Sequence, residues 1–252
     1  MYKIERFVGN SHVGPDGRLT LGAAVDFMQD CSGFQLDSEK QLSEYFRKNN
    51  VTMFLVSRQI NVHKPVFYGE RVDVVTTIYQ LKNSYGFRNT NIYDEKGQVR
   101  ISSYAGGAFI DLERRRATTV PAEVTATVPM EEKFSGMEYL PRKIRLPKAD
   151  GEGGGAPVIM DGMRVCRYHI DKNAHMNNSK YLQLAQECIP EDFPIAVARI
   201  EYKTAAKLGD VLIPYTYITE DGVRIVSLQD GKGGIFANVE FRRDREAEPT
   251  EV

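Results

Sequence analysis

The order of predicted elements occurs twice along the chain, and this repeat restricts the possible folds more than any other feature. In each half, a helical segment is followed by several β-rich segments. Residues 60–70 and 200–210 align without a gap, and both end in glycine followed by an acidic residue. The helical segments also end alike, in Gln29-Asp30-Cys31 and Gln186-Glu187-Cys188. Two copies of a helix followed by short strands predict an α+β fold.

The element boundaries follow from periodicity and turn residues. Leu21, Ala24, Val25 and Met28 recur at helical spacing after Thr20, which is the predicted N-cap. Prolines and a glycine-rich run at 151–155 predict a linker between the copies. We expect an N-terminal domain at 1–120, a linker at 121–157 and a C-terminal domain at 158–252. Strands are predicted at 2–13, 53–62, 72–81, 87–93, 98–111, 211–219, 223–229 and 235–241.

Composition excludes several classes of protein. A formal net charge of −1 gives no reason to expect nucleic-acid binding, and no apolar run is long enough to predict membrane insertion. The three cysteines form no C-x-x-C pair, and the histidines have no zinc spacing, so we predict no metal and no cofactor. The first residues are not typical of a secretory signal, which predicts a cytoplasmic location.

The second helical segment follows a cluster of polar residues that suit catalysis. Asp171, Asn173 and His175 occupy alternate positions, so in an extended segment their side chains share one face. Asn178 or Ser179 is the predicted N-cap of the helix that follows. Free N–H groups at a helix start stabilise a developing oxyanion. Acid/base groups beside such a helix indicate a hydrolytic site.

This stretch resembles the acyl-ACP thioesterase family, whose pattern is roughly D-x-N-x-H-x-N-N-x-x-Y followed by E-x-x-P. The residues in register are Asp171, Asn173, His175, Asn177, Asn178, Tyr181, Glu187 and Pro190. The resemblance implies a tandem double hotdog, in which each copy is a long helix wrapped by a curved antiparallel sheet. It also implies hydrolysis of fatty acyl-ACP to free fatty acid and holo-ACP. The partner would be acyl carrier protein with a fatty acyl-phosphopantetheine.

The resemblance assigns catalytic roles to Asp171, Asn173 and His175, with a water activated by Asp171. It does not fix which of the three is the base. The matching positions of the first copy hold Asp16 and Arg18 in place of Asn173 and His175, so the triad occurs once. A structural role shared by both copies would need the triad in both. The asymmetry therefore favours a functional role in the second copy.

The resemblance also implies a substrate site. The acyl chain of related enzymes lies in a tunnel beside the first helix, where the candidate residues are Phe27, Met28 and Phe54. Asn177 and Asn178 are further substrate-binding candidates beside the catalytic residues. A basic rim for an acidic carrier protein is expected from Lys172, Lys180 and Arg199.

One departure from the family keeps two alternatives open. A glutamate is common in the family at the position of Ala205 in this chain. The chain is therefore an acyl-ACP thioesterase, an acyl-CoA thioesterase with the same site, or a double hotdog that binds acyl chains without turnover. A G-x-S-x-G motif is absent, which argues against a serine hydrolase. Monomer and homodimer both stay open, because two hotdogs in one chain already form a pair.

Overall fold

The computed structural model describes residues 1–147 and 155–243. The chain divides into two compact units, Met1–Tyr139 and Leu140–Val252, and the division lies within the predicted linker. The predicted domain limits at 120 and 158 stay predictions. Most of the glycine-rich run at 151–155 lies outside the described residues. Within the described ranges, no helix is long and apolar enough to cross a bilayer.

The N-terminal unit is an antiparallel sheet with the strand order β1-β3-β4-β5-β2, to which β6 is added beside β5. A long helix packs on this sheet. In chain order its elements are β1 (Tyr2–Phe7), α1 (Leu21–Ser38), α2 (Lys40–Asn49), β2 (Val51–Val62), β3 (Arg71–Lys82), β4 (Tyr85–Tyr93), β5 (Val99–Asp111), β6 (Arg116–Ala117) and α3 (Ala122–Thr125), with a 3-10 turn at Asn10–His12.

Helix α1 begins where the sequence predicts. The hydroxyl oxygen of Thr20 accepts the backbone N–H of Ala23 at 3.1 Å, which confirms the predicted N-cap. Ala24 and Met28 lie on the predicted apolar face and are fully buried. The helix ends at Ser38, where the N–H of Glu39 donates back to the carbonyls of the last turn. Burial of this apolar face, rather than helix propensity alone, holds α1 on the sheet.

The C-terminal unit has the same plan with a shorter helix. Its strand order is β9-β12-β11-β10-β7, and β8 pairs with β10. Its helix has nine residues and ends before Pro190, because Cys188 and Ile189 form tighter turns of the i→i−3 type. The elements are β7 (Val158–Ile159), β8 (Met163–Arg164), α4 (Asn178–Gln186), β9 (Val197–Tyr202), β10 (Val211–Ile218), β11 (Arg224–Gln229) and β12 (Ile235–Arg242), with a 3-10 turn at Arg167–His169.

The repeat seen in the sequence is also a repeat of hydrogen bonds. The N–H of Gly69 donates to the carbonyl of Val8 at 2.9 Å, and the N–H of Gly209 donates to that of Val165 at 3.0 Å. Both glycines have positive φ, +83° and +90°. A residue with a side chain would be strained there, which explains why glycine stands at this position in both copies.

A buried ion pair lies within the C-terminal sheet. The guanidinium of Arg199 donates to both carboxylate oxygens of Glu240, at 3.0 and 2.7 Å, and to the carbonyl of Pro141 at 2.7 Å. Both charged side chains are almost fully buried, at 7% and 5% exposure. The expected role of Arg199 in a basic rim is therefore wrong, because its charge is neutralised inside the sheet.

We expect Glu240→Gln to lower the free energy of unfolding by about 3–5 kcal/mol, because it leaves the Arg199 charge buried without its partner. The double variant Arg199→Met/Glu240→Leu should lose less, since it removes both buried charges. Arg242, which also pairs with Glu240, is about one-third exposed and can be solvated without that partner. Urea-induced unfolding of the two variants and the wild type measures the difference. An equal loss in the single and double variants would contradict this account of the pair.

Candidate active site

The residues of the predicted triad lie in a tight turn, which we call the Asp171 loop (residues 171–176). The N–H of Asp171 donates to the carbonyl of His175 at 2.8 Å, and the N–H of Ala174 donates to the carbonyl of Asp171 at 3.1 Å. Ala174 has φ +60°, which reverses the chain. The expected extended segment is therefore wrong here. The turn, rather than strand alternation, brings the three residues together.

The carboxylate of Asp171 is the centre of this loop. Its Oδ1 accepts the backbone N–H of Asn173 at 2.8 Å and that of His175 at 3.5 Å, and its Oδ2 accepts the side-chain amide of Asn173 at 3.4 Å. Asp171 and His175 are half-buried, whereas Asn173 is exposed. An ionised carboxylate has about four lone-pair directions. A water molecule can therefore still donate to it.

The first copy builds the same loop backbone from other residues. The N–H of Gly14 donates to the carbonyl of Arg18 at 3.0 Å, as the N–H of Asp171 does within its own loop. Gly17 has φ +73° and is the counterpart of Ala174. The backbone of this loop therefore forms in both copies with different side chains, and in the first copy the carboxylate of Asp16 accepts the N–H of Arg18 at 2.9 Å. The loop backbone alone does not dictate the combination of aspartate, asparagine and histidine found in the second copy.

The histidines that occur in both copies are structural. The Nδ1 atom of His12 accepts the N–H of Gly9 at 2.9 Å, and that of His169 accepts the N–H of Cys166 at 3.0 Å. These two bonds hold equivalent 3-10 turns. His175 has no histidine counterpart in the first copy. The shared histidines thus have a role in the fold, and the unshared one is the candidate for chemistry.

Helix α4 begins one residue earlier than predicted. Its N-cap is Asn177, whose Oδ1 accepts the N–H of Ser179 at 3.0 Å, so the predicted cap at Asn178 or Ser179 is wrong. The carbonyl of Asn177 accepts the N–H of Lys180, and its own N–H donates to His169. Of the four N–H groups that begin the helix, that of Asn178 meets no acceptor among the described residues.

The segment after β9 is fixed against the Asp171 loop. The N–H of Met176 donates to the carbonyl of Ala206 at 2.8 Å, and the N–H of Ala206 donates to the hydroxyl of Tyr181 at 2.7 Å. The ring of Tyr202 packs edge-on against Tyr181 with 5.6 Å between centroids, and its hydroxyl donates to the carbonyl of Asn178 at 3.1 Å. Loop, helix start and strand end therefore hold one another in place.

Two neighbouring carboxylates have structural partners. Glu201 accepts the ammonium group of Lys203 at 3.0 Å, and Asp210 accepts the backbone N–H of Lys207 at 2.8 Å. Burial, followed by the charges of Asp210 and Asp171, raises the pKa of Tyr181. Tyr181 is therefore neutral at pH 7. Of these carboxylates, that of Asp171 belongs to the Asp171 loop itself.

Two of the three cysteines, Cys31 and Cys188, do not suit a nucleophilic role. Burial raises the pKa of Cys188 to about 11, and the charge of Glu187 adds to this effect. Burial also raises the pKa of Cys31 to about 11. Both are thiols at neutral pH, while a nucleophile needs the thiolate. Among residues 1–147 and 155–243, no group of three or more His, Cys, Asp or Glu side chains is arranged to hold a metal ion.

The N-terminal unit contains an apolar pocket of about 250 Å³, a volume that includes space open to solvent. Arg88 is the charged residue in its wall. The apolar wall comes from both long helices and the sheet and includes Leu36, Leu42, Met53, Ile78, Leu81 and Phe109.

The predicted acyl-site residues lie elsewhere in this unit. Phe27 is buried against the ring of His12, with 4.8 Å between centroids. Met28 is fully buried, and its sulfur accepts a hydrogen bond from Arg58 at 3.4 Å. Phe54 is 36% exposed. The structure does not bring the three together in the wall of the pocket, and their substrate role stays a prediction.

Comparison with known families matches both halves of the chain. The acyl-ACP thioesterase N-terminal domain matches residues 2–128, and the acyl-ACP thioesterase C-terminal domain matches residues 157–240. The chain belongs to the acyl-ACP thioesterase family. Oleoyl-acyl carrier protein thioesterase 1, chloroplastic, of Arabidopsis thaliana is 23% identical over 236 residues. The aligned region covers 86% of this chain and 64% of the Arabidopsis protein.

Solved structures of the family confirm the fold. An acyl-ACP thioesterase from Bacteroides thetaiotaomicron superposes with a TM-score of 0.83 at 18% identity, over 95% of this chain and 96% of that one. The 12:0-ACP thioesterase from Umbellularia californica gives a TM-score of 0.80 at 19% identity, over 96% of each chain. The predicted tandem double hotdog is thus confirmed. At this level of identity the likeness concerns the fold alone.

The departure from the family pattern lies beside the candidate site. Ala205 is exposed, and its neighbour Ala206 is hydrogen-bonded to the Asp171 loop through Met176. Position 205, where a glutamate is common in the acyl-ACP thioesterase family, is therefore next to the loop that carries the triad. An alanine at this position supplies no carboxylate beside the loop.

The positive φ of Ala174 leads to a test of backbone strain. An alanine in the left-handed region costs about 1–2 kcal/mol, while glycine adds roughly 0.5–1 kcal/mol of entropy cost on folding. We therefore expect Ala174→Gly to raise the free energy of unfolding by up to about 1 kcal/mol. Urea-induced unfolding measures the change.

The matched control is Gly17→Ala in the first copy, which introduces the same strain and should destabilise by about 1 kcal/mol. A Cβ at Gly17 meets no atom within 4 Å, so its effect reports on the backbone alone. Loss of stability in Ala174→Gly would show instead that the methyl group of Ala174 is needed for packing.

Proposed function

We propose that this protein hydrolyses the thioester of fatty acyl-ACP to free fatty acid and holo-ACP. Membership of the acyl-ACP thioesterase family supports the reaction class. The observation that carries the site assignment is the loop shared by the two copies. Its backbone is closed by the same hydrogen bond in both, but only the second copy holds Asp171, Asn173 and His175. The loop backbone does not dictate these three side chains, which supports a role for them in chemistry.

Asp171 acts as the general base in this proposal. A water molecule that donates to its carboxylate loses a proton to it as the water oxygen attacks the thioester carbonyl carbon. The tetrahedral intermediate then collapses, the C–S bond breaks, and the thiolate takes up the proton. Asn173 holds the carboxylate through its side-chain amide and through its backbone N–H. His175, in the same turn, passes the proton to the leaving thiolate.

The oxyanion needs a hydrogen-bond donor, and helix α4 offers one. The N–H of Asn178 meets no acceptor among the described residues and stands at the positive end of the helix. A single oxyanion donor contributes about 3–4 kcal/mol in well-studied hydrolases. We assign this role to the backbone of Asn178. Asn177 contributes as the helix cap.

The acyl chain is assigned to the apolar pocket of the N-terminal unit. The pocket volume of about 250 Å³ includes space open to solvent, so the enclosed part admits at most the end of a chain. The pocket wall consists mostly of apolar side chains, which favours a hydrocarbon over a charged ligand.

The carrier partner and the cytoplasmic location remain proposals from the sequence. The name of the Arabidopsis relative describes that protein as chloroplastic.

We expect Asp171→Asn to lower thiol release from acyl-ACP roughly a hundred- to ten-thousandfold, because the variant removes the base but keeps an oxygen that can accept the loop N–H groups. The matched control is Asp16→Asn in the first copy. Asp16 accepts the N–H of Arg18 at 2.9 Å in the same i→i+2 arrangement. The control should retain the wild-type rate.

Equal activity in wild type and Asp171→Asn would show that Asp171 is not the base.

Assays with different substrates distinguish the two alternatives, an acyl-CoA thioesterase and a binding protein without turnover. Faster hydrolysis of acyl-CoA than of matched acyl-ACP would make coenzyme A the leaving group. Binding of acyl chains without hydrolysis, together with activity gained in Ala205→Glu, would favour the non-catalytic binding protein, since Ala205 stands beside the loop.

A further inference from the structure

A buried cation stands in the wall of the otherwise apolar pocket. Arg88 on β4 is only 6% exposed, and it lines the pocket together with side chains such as Leu36, Ile78 and Phe109. Burying a guanidinium is costly unless its N–H groups find acceptors. Its contacts therefore show whether the protein itself satisfies this group or leaves part of it for a ligand.

Among the described residues, hydrogen-bond acceptors meet only one nitrogen of the Arg88 guanidinium, Nη1. Nη1 donates to the carbonyl of Ser32 at 3.2 Å and to the side-chain oxygen of Gln35 at 3.3 Å. Both acceptors are uncharged. Within residues 1–147 and 155–243, Nε and Nη2 of Arg88 donate to no acceptor, and no carboxylate forms an ion pair with it. The negative charge of Glu39 acts on Arg88 only from a greater distance.

A second buried arginine increases the positive charge. Arg58 on β2 and Arg88 both stand opposite Ala105 on β5, so the two guanidinium groups project from the same face of the sheet. Arg58 is 3% exposed. Burial, followed by the charge of Arg58, lowers the pKa of Arg88 to about 10. Arg88 therefore remains protonated at neutral pH.

A structural role explains part of this arrangement. Ser32 and Gln35 lie toward the C-terminal end of α1, where a cation is favoured by the helix dipole. That role uses Nη1 and explains why Arg88 is held in place. It does not explain why the remaining N–H groups belong to a residue that lines a pocket. An apolar chain end beside them would leave those groups without water and without an acceptor.

We propose that Arg88 makes the pocket selective for acyl chains that carry an oxygen remote from the thioester, as a hydroxyl, keto or carboxyl group. The guanidinium donates to that oxygen, while the rest of the chain packs on the apolar wall. This inference rests on the acyl-site assignment of the proposed function. A hydrogen bond from a charged donor in such a setting corresponds to a preference of roughly ten- to hundredfold over a plain chain.

The test separates binding from hydrolysis. The probes are pantetheine S-alkyl thioethers of equal chain length that end in a methyl, a hydroxyl or a carboxylate group, and calorimetry gives their dissociation constants. We expect the wild type to prefer the hydroxyl or the carboxylate probe roughly ten- to hundredfold. In Arg88→Met, which keeps a similar volume without the charge, the preference should disappear.

Two further variants make the comparison specific. Leu81→Met alters the same wall without changing its charge, so it should keep the wild-type ratio of dissociation constants. Arg88→Lys keeps the charge without the planar fork and should retain part of the preference. Urea-induced unfolding checks that each variant is folded. Equal binding of methyl and oxygenated probes by the wild type, or a preference that survives in Arg88→Met, would overturn the proposal.

Hydrolysis of the corresponding acyl thioesters distinguishes this proposal from the one it rests on. An Arg88-dependent binding preference in a protein that hydrolyses none of the thioesters would reject the thioesterase proposal and support this one. Hydrolysis of methyl-ended and hydroxyl-ended chains with equal kcat/KM would support the thioesterase proposal and reject the proposed role of Arg88. An effect limited to the carboxylate probe would show that the site takes an anion rather than any acceptor oxygen.

Discussion

One backbone hydrogen bond in each unit joins the loop before the helix to the segment after a long strand. It runs from Met176 to Ala206 at 2.8 Å in the C-terminal unit and from Leu19 to Val66 at 2.7 Å in the N-terminal unit. Because it is made by main-chain atoms, it constrains where the loop lies without constraining which side chains the loop carries. The helix start, the turn and the strand end all depend on it. The two units can therefore carry different side chains on this loop while both keep the same fold.

The two copies differ in backbone strain and in side chains at the same loop. The left-handed position of the loop is held by Gly17 in one copy and by Ala174 in the other, at φ +73° and +60°. Alanine is the more costly choice, and it lies between Asn173 and His175. Strained backbone often accompanies functional sites, where the surrounding structure enforces a geometry that the local sequence does not favour. Here the enforcing contacts are the carboxylate of Asp171 and the backbone bonds of the turn.

Sequence reasoning succeeded where a local pattern decides the structure. Thr20 before an apolar face at helical spacing identified the N-cap, and β-rich segments bounded by turn residues identified most of the long strands. The strand predicted at 2–13 ends at Phe7, and β9 was not predicted. Sequence reasoning was wrong at the Asp171 loop, because residues at alternate positions suit a strand and a tight turn equally well. Asn177, Asn178 and Ser179 can all cap a helix, and only the folded backbone selects the first. The glycine at position 17, matched to Ala174, was the signal that could have identified the turn.

Contacts between distant residues lay beyond local patterns, and the buried arginines show why. A strand sequence reveals neither that Arg199 meets Glu240 nor that Arg88 meets no carboxylate among the described residues. In one unit the charge is neutralised by two short hydrogen bonds to a carboxylate, so its burial needs no further explanation. In the other, uncharged oxygens accept from one nitrogen, and the group faces a pocket. Two nitrogens of this second guanidinium stand beside the pocket without a protein acceptor among the described residues. That contrast between the two arginines is the observation behind the proposed preference for an oxygen on the acyl chain.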